Sequence, residues 1–96
     1  MPRPRKKRII RFEPGVTYFK PRAIPLSELE EMNLDRDELE AIRLCDFKNV
    51  NQVEAAKKMG VSQSTLGRIL IAARKKIAEA LIKGKAIKIK ITETQE

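Results

Sequence analysis

The stretch Gln52-Val-Glu-Ala-Ala-Lys-Lys-Met-Gly-Val-Ser-Gln-Ser-Thr-Leu-Gly-Arg-Ile-Leu70 leaves the chain few ways to fold. Asn51 offers a side-chain oxygen that can cap a helix, and Glu54 follows three residues on. A helix over Gln52 to Met59 is predicted, burying Val53, Ala56 and Met59. Gly60 stops it, because glycine enters the left-handed conformation without a steric cost. Only Val61 separates this stop from Ser62, a second cap. Two helices so closely joined must meet at a sharp angle, as in a helix-turn-helix. Ala56 is small where they approach, Val61 plugs the angle, and Leu66 and Ile69 anchor the second helix.

That second helix is long. It is predicted from the Ser62 cap to about Ile82, with Gly84 just beyond its end. Its length is then about 30 Å at a rise of ~1.5 Å per residue. Leu66, Ile69, Leu70, Ala73, Ile77, Ala80 and Leu81 fall within an arc of about 120°, one apolar stripe. Ser64, Arg68, Ile71 and Lys75 lie opposite. Beyond Gly84, Lys85 to Thr92 alternates, with Ile87, Ile89 and Ile91 on one face and Lys88 and Lys90 on the other, so it reads as one half-buried strand. A lone strand needs a mate, and Arg8 to Phe12 is expected to supply it, within the chain or across two chains.

Upstream, Ser27-Glu-Leu-Glu30 has the form of a capping box and predicts a short helix over Glu28 to Met32. Asp35 caps another, from Arg36 to about Cys45, with Leu39, Ile42 and Phe47 inward and Asp37, Glu40 and Arg43 in water. Before these, prolines at 2, 4, 14, 21 and 25 disfavour helix. Residues 1–25 therefore read as a basic arm and extended segment, 26–84 as the helix-turn-helix domain, and 85–96 as a terminal strand and tail. The expected fold class is mainly α: a helix-turn-helix bundle with a long C-terminal helix, a short terminal β-strand and a basic, extended N-terminal arm.

Charge sharpens the functional reading. The chain has 96 residues and a net charge of +8. Residues 1–25 hold eight Lys/Arg against one Glu, residues 26–60 five against nine carboxylates, and residues 61–96 eight against three. Two basic ends flank an acidic middle, which favours a polyanionic partner met by the ends. Double-stranded DNA is that partner in the helix-turn-helix reading, with the second helix entering the major groove N-terminus first. Ser62, Gln63, Ser64, Thr65 and Arg68 are the candidate readers: Gln can pair with adenine, Arg with guanine, and the hydroxyls with bases or phosphate. Arg74, Lys75 and Lys76 are candidate phosphate contacts. So are Arg3, Arg5, Lys6, Lys7 and Arg8 of the arm, which can follow phosphates or enter the minor groove. Dimeric readers of this kind bind two half-sites, and the unmated strand and the apolar Ile71, Ala78 and Ile82 admit a homodimer.

The runs Pro2-Arg-Pro-Arg-Lys6, Phe19-Lys-Pro21, Asp37-Glu-Leu-Glu-Ala-Ile-Arg-Leu44, Gln52 to Ser62, Ser64 to Leu70, Ala73-Arg-Lys-Lys76 and Gly84-Lys-Ala86 together resemble the small prokaryotic proteins grouped as domain of unknown function 134. The helical half also resembles the promoter-reading fourth region of bacterial sigma factors. The resemblance implies a winged or sigma-like helix-turn-helix and a DNA-binding role; RNA polymerase or another transcription protein is the partner that an adaptor role would require. Some relatives look as though they carry an added C-terminal domain resembling iron-molybdenum cofactor-binding proteins, which this sequence stops short of.

The rival reading is an adaptor of the transcription machinery, docking through the acidic surface from Glu28 to Glu40. An RNA partner fits less well, because structured RNA is often held on exposed aromatics and none of the four aromatics lies in the long helix. No enzyme is expected. There is no histidine, no phosphate-cradling glycine loop and no paired metal-ligand set. No cofactor is expected. The single cysteine, Cys45, reads as a half-buried packing residue, and Tyr18 and Phe19 as core. With no apolar run of membrane length and no secretory signal, a cytoplasmic location is expected.

Overall fold

The capping chemistry read from the sequence sets the helix boundaries in the computed structural model, which describes residues 8–90. Helix α1 spans Arg36–Ile42, α2 Gln52–Met59 and α3 Gln63–Lys83. Asp35 donates its amide to Glu38 Oε1 at 2.9 Å at the start of α1. Asn51 Oδ1 accepts from the Glu54 amide at 2.8 Å, and Ser62 Oγ from the Thr65 amide at 3.1 Å. Each bond satisfies an amide that has no partner within its own helix. Gly60 and Gly84 end α2 and α3 at φ 69°, where a side chain would be strained.

Two small cores share α3 as their wall. The first joins Ala41 of α1, Leu44, Ala55, Ala56 and Met59 of α2, and Leu66, Ile69 and Leu70 from the first half of α3. The second joins Ala73 of α3 to Leu34 and Ile89, with Leu39, Ile77 and Ile87 packed against it. Ile42 packs against both. The mainly helical architecture and the long C-terminal helix follow expectation.

The strand after α3 is not solitary. Strand β3 (Ala86–Ile89) lies between β1 (Tyr18–Phe19), antiparallel to it, and β2 (Glu31–Leu34), parallel to it. This overturns two expectations. The helix predicted over Glu28 to Met32 is a single 3-10 turn at Leu26–Glu28 that gives way to β2. The Ser27 capping signal loses because the open edge of β3 must pair: Ala86 donates to the Glu30 carbonyl at 2.8 Å and Lys90 to that of Leu34 at 3.0 Å. Pairing also carries Leu34 into the second core. Nor does Arg8 to Phe12 form the mate. Its Ile9 amide donates to the Met59 carbonyl at 3.0 Å, on the last residue of α2, and Ile9 lies over Gly60.

Other departures come from one irregular turn and from helix phase. Arg43–Phe47 forms a π-helical turn, with Lys48 donating to the Arg43 carbonyl at 2.9 Å. The extra residue in that turn shifts the helical phase, and Phe47, expected inward, is 78% exposed. Val53 is exposed too, and Ala55 takes the core position expected of it. Leu81, at the edge of the α3 stripe, is 74% exposed because α2 and the sheet pack on the opposite flank. Residues 91–96, including Ile91, lie outside the described residues.

Gly67 occupies the interior of α3, where glycine costs backbone entropy. A Cβ there would meet nothing nearer than Gln52 Oε1, at 4.0 Å. Gly67→Ala is therefore expected to stabilise the fold by about 0.5–1 kcal/mol, read as a higher midpoint in urea unfolding with an unchanged slope. A lower midpoint would mean that the glycine is needed for packing.

Candidate nucleic-acid interface

The turn Gly60 to Ser62 delivers the start of α3 to the surface. Ser62, Gln63, Ser64 and Arg68 are exposed there, and Thr65 is half-buried. Four of them form one hydroxyl network. Ser62 Oγ donates to Thr65 Oγ1 at 2.9 Å and lies 3.3 Å from Ser64 Oγ, and Arg68 donates to Thr65 Oγ1 at 3.5 Å. Gln63 stands clear of this network. The face continues down α3 through Gly67, Arg68, Ile71 and Lys75. Ile71 is 70% exposed. A helix face of hydroxyls, an amide and a guanidinium, aimed outward from a capped N-terminus, can hydrogen-bond to either donors or acceptors.

The remaining sequence candidates divide by what already holds them. Lys75 is exposed and makes no ion pair among the described residues. Arg74 forms a two-pronged pair with Asp46 at 3.1 and 2.7 Å, which holds the carboxyl below its ordinary range and raises the guanidinium. The pair is open to solvent, so a competing anion can replace it at little cost. Lys76 is different: it reaches Glu38 at 2.8 Å, a carboxylate that is itself buried. Arg8 lies 3.3 Å from Asp37. Both are spoken for inside the fold. Arg3, Arg5, Lys6 and Lys7 lie outside the described residues.

Lys57 and Lys58, exposed on α2, were not among the sequence candidates. At three and four residues from Glu54 they resemble solvent pairs along a helix. Neither makes an ion pair among the described residues, and this lack of a partner is the signal that marks them.

The acidic middle of the chain is largely occupied by the chain's own cations. Glu40, expected in water, is 2% exposed. It accepts Arg43 Nε at 3.0 Å and Nη2 at 2.8 Å, and the Arg11 amide at 3.4 Å. Burial opposes its ionisation, yet the Arg43 hydrogen bonds, the Arg11 amide and the two guanidinium charges prevail and lower its pKa. Arg43 also sits over the Phe12 ring, 5.6 Å from its centre. Lys85 pairs with Glu79 at 2.7 Å and Glu30 at 3.6 Å, and Arg36 with Glu13 at 3.1 Å. Tyr18 donates to Glu31 at 2.6 Å, which raises the phenol's pKa. Cys45 is half-buried against the first core, and burial, then Asp46, raises its thiol. Phe19, expected in the core, is 53% exposed beside Tyr18 on β1. No helix among the described residues is long and apolar enough to cross a membrane.

The model of the family described as "Protein of unknown function DUF134" matches residues 1–96. A UPF0251 protein of Moorella thermoacetica is 56% identical over 89 residues, covering 93% of this chain and 60% of the relative. One of Caldanaerobacter subterraneus is 57% identical over 89 residues, covering 93% of this chain and 75% of the relative. One of Desulfosudis oleivorans is 48% identical, with 64% of its length covered. The chain thus spans between 60% and 75% of these three relatives. No solved structure matches the chain.

The Glu40 site makes a pH prediction. Because its folded pKa lies below the ordinary 4.5, its stabilising contribution is fully present above pH 4.5 and is lost as pH falls through the folded value. Glu40→Gln is expected to cost about 1–3 kcal/mol at neutral pH, since Arg43 loses its anion. It should also flatten the acid limb of a urea-unfolding profile. An acid limb as steep as the wild type's would place the responsible carboxylate elsewhere.

Proposed function

The chain belongs to the DUF134 family, and from that premise we propose that it is a double-stranded-DNA-binding protein, a transcription regulator that reads the major groove through a helix-turn-helix formed by α2 and α3. The observation that carries this reading is the exposed face of Ser62, Gln63, Ser64 and Arg68 at the capped start of α3. A reading helix must offer base edges exposed polar groups: Gln63 stands clear of the hydroxyl network, and Ser64 and Arg68 stay exposed at its rim. The same two helices carry exposed cations that form no ion pair among the described residues: Lys57 and Lys58 on α2 and Lys75 further along α3. They suit the phosphates on either side of a groove. Gly67 lies within the face and leaves the helix backbone open to close approach.

The adaptor alternative is less well supported. Its acidic surface is partly withdrawn: Asp37, Glu38 and Glu40 are engaged by Arg8, Lys76 and Arg43, which leaves Glu28, Glu30 and Glu31 exposed.

The test is fluorescence anisotropy on a panel of duplexes at several salt concentrations. The expected result is a preference for a few duplexes that survives moderate salt. Gln63→Ala/Arg68→Ala should weaken the preferred duplex about 10- to 100-fold and leave weak, general binding nearly unchanged. Lys57→Ala/Lys75→Ala should weaken all duplexes alike and reduce the salt slope by about 2. Equal, weak binding of every duplex by wild type and both variants would defeat the reading.

A further inference from the structure

Away from the face of α3, the N-terminal segment, the π turn and α2 enclose a cleft of about 360 Å³. Four cations line it, Arg11, Arg43, Lys48 and Lys58, together with one carboxylate, Glu40. The volume lies in the range of small-ligand sites. We propose that this cleft is a phosphate-binding site.

The charge accounting carries the inference. Glu40 is already held by both prongs of Arg43, so its charge is spent on that guanidinium. Arg11 gives Glu40 its backbone amide at 3.4 Å and adds to the positive field there, but its side chain makes no ion pair among the described residues. Lys48 and Lys58 make none either. Elsewhere in the fold, cations that converge do so on a carboxylate: Arg74 on Asp46, Lys76 on Glu38, Lys85 on Glu79. Here three cations that form no ion pair among the described residues, from three separate segments, line one concave wall. Like charges so placed repel, and a concave wall concentrates their field. An anion that enters relieves the repulsion, and a phosphate can accept from the Arg11 fork and both ammonium groups at once. Arg43, fixed between Glu40 and the Phe12 ring, gives the cleft a rigid back.

The phosphate can come from a free phosphate-bearing small molecule or from the backbone of a bound duplex. The site does not depend on the DNA reading, because the first source needs no DNA.

The experiment is a titration of the isotope-labelled protein with inorganic phosphate at constant ionic strength, followed by amide NMR. Saturable shifts are expected at Arg43, Lys48, Val50 and Lys58. Lys48→Ala/Lys58→Ala should weaken phosphate at least tenfold, and Lys83→Ala/Lys88→Ala, which removes two other exposed lysines, should not. A second arm adds unlabelled duplex DNA. Displacement of phosphate by duplex, with weaker duplex binding by Lys48→Ala/Lys58→Ala, assigns the site to the DNA backbone. Phosphate binding that duplex leaves untouched assigns it to a free ligand. Shifts that rise linearly without saturating, or an equal affinity in both double variants, would overturn the proposal.

Discussion

Burying one face of a 21-residue helix along most of its length takes more apolar surface than the short helix before it can offer. At ~1.5 Å per residue α3 runs about 30 Å and α2 about 12 Å. The first half of α3 is therefore covered by α2 and α1, and the second half needs another partner. The sheet answers that need. Leu34 of β2 and Ile89 of β3 pack on Ala73, and Ile42 of α1 touches both cores. The sheet is thus a consequence of the length of α3, and its pairing recruits chain from both before and after the helices.

Electrostatics then settle which charges stay outside. A chain with two basic ends and an acidic middle could have remained a polarised molecule. Instead α1 and its neighbours draw those ends in: Arg8 to Asp37, the Arg11 amide to Glu40, Lys76 to Glu38. Buried pairs of this kind regain little beyond their desolvation cost. Their effect is to fix how α1 lies against α3 and the N-terminal segment. Among the described residues, several cations without ion pairs remain on the surface, Lys48, Lys57, Lys58, Arg68 and Lys75 among them, around α2 and along α3.

Signals that act over one helical turn were legible in the sequence. The caps at Asp35, Asn51 and Ser62 and the stops at Gly60 and Gly84 fall where local chemistry puts them. The exposed positions Ser62, Gln63, Ser64, Arg68 and Lys75 were equally legible, because helix phase alone decides them. What was hidden depends on partners distant in sequence. The Ser27 signal is as good locally as that of Asp35, but only the second is free of a competing strand edge. Glu40 reads as a surface residue until Arg43 and Arg11 are seen to close over it. The π turn at Arg43–Phe47 inverts Phe47 with no compositional warning. Lys76 and Arg8 read as phosphate contacts because the carboxylates that take them, Glu38 and Asp37, sit on a helix whose packing no local pattern reveals.

The exposed face at the start of α3 is the proposed point of contact with DNA. The most direct measurement is a map of amide NMR shifts on adding a short duplex in stoichiometric amount. The largest changes are expected between Ser62 and Lys75, extending to Lys57 and Lys58, with β2 and the buried flank of α1 unmoved. Changes centred on Glu28 to Glu40, or no changes with the fold intact, would contradict it.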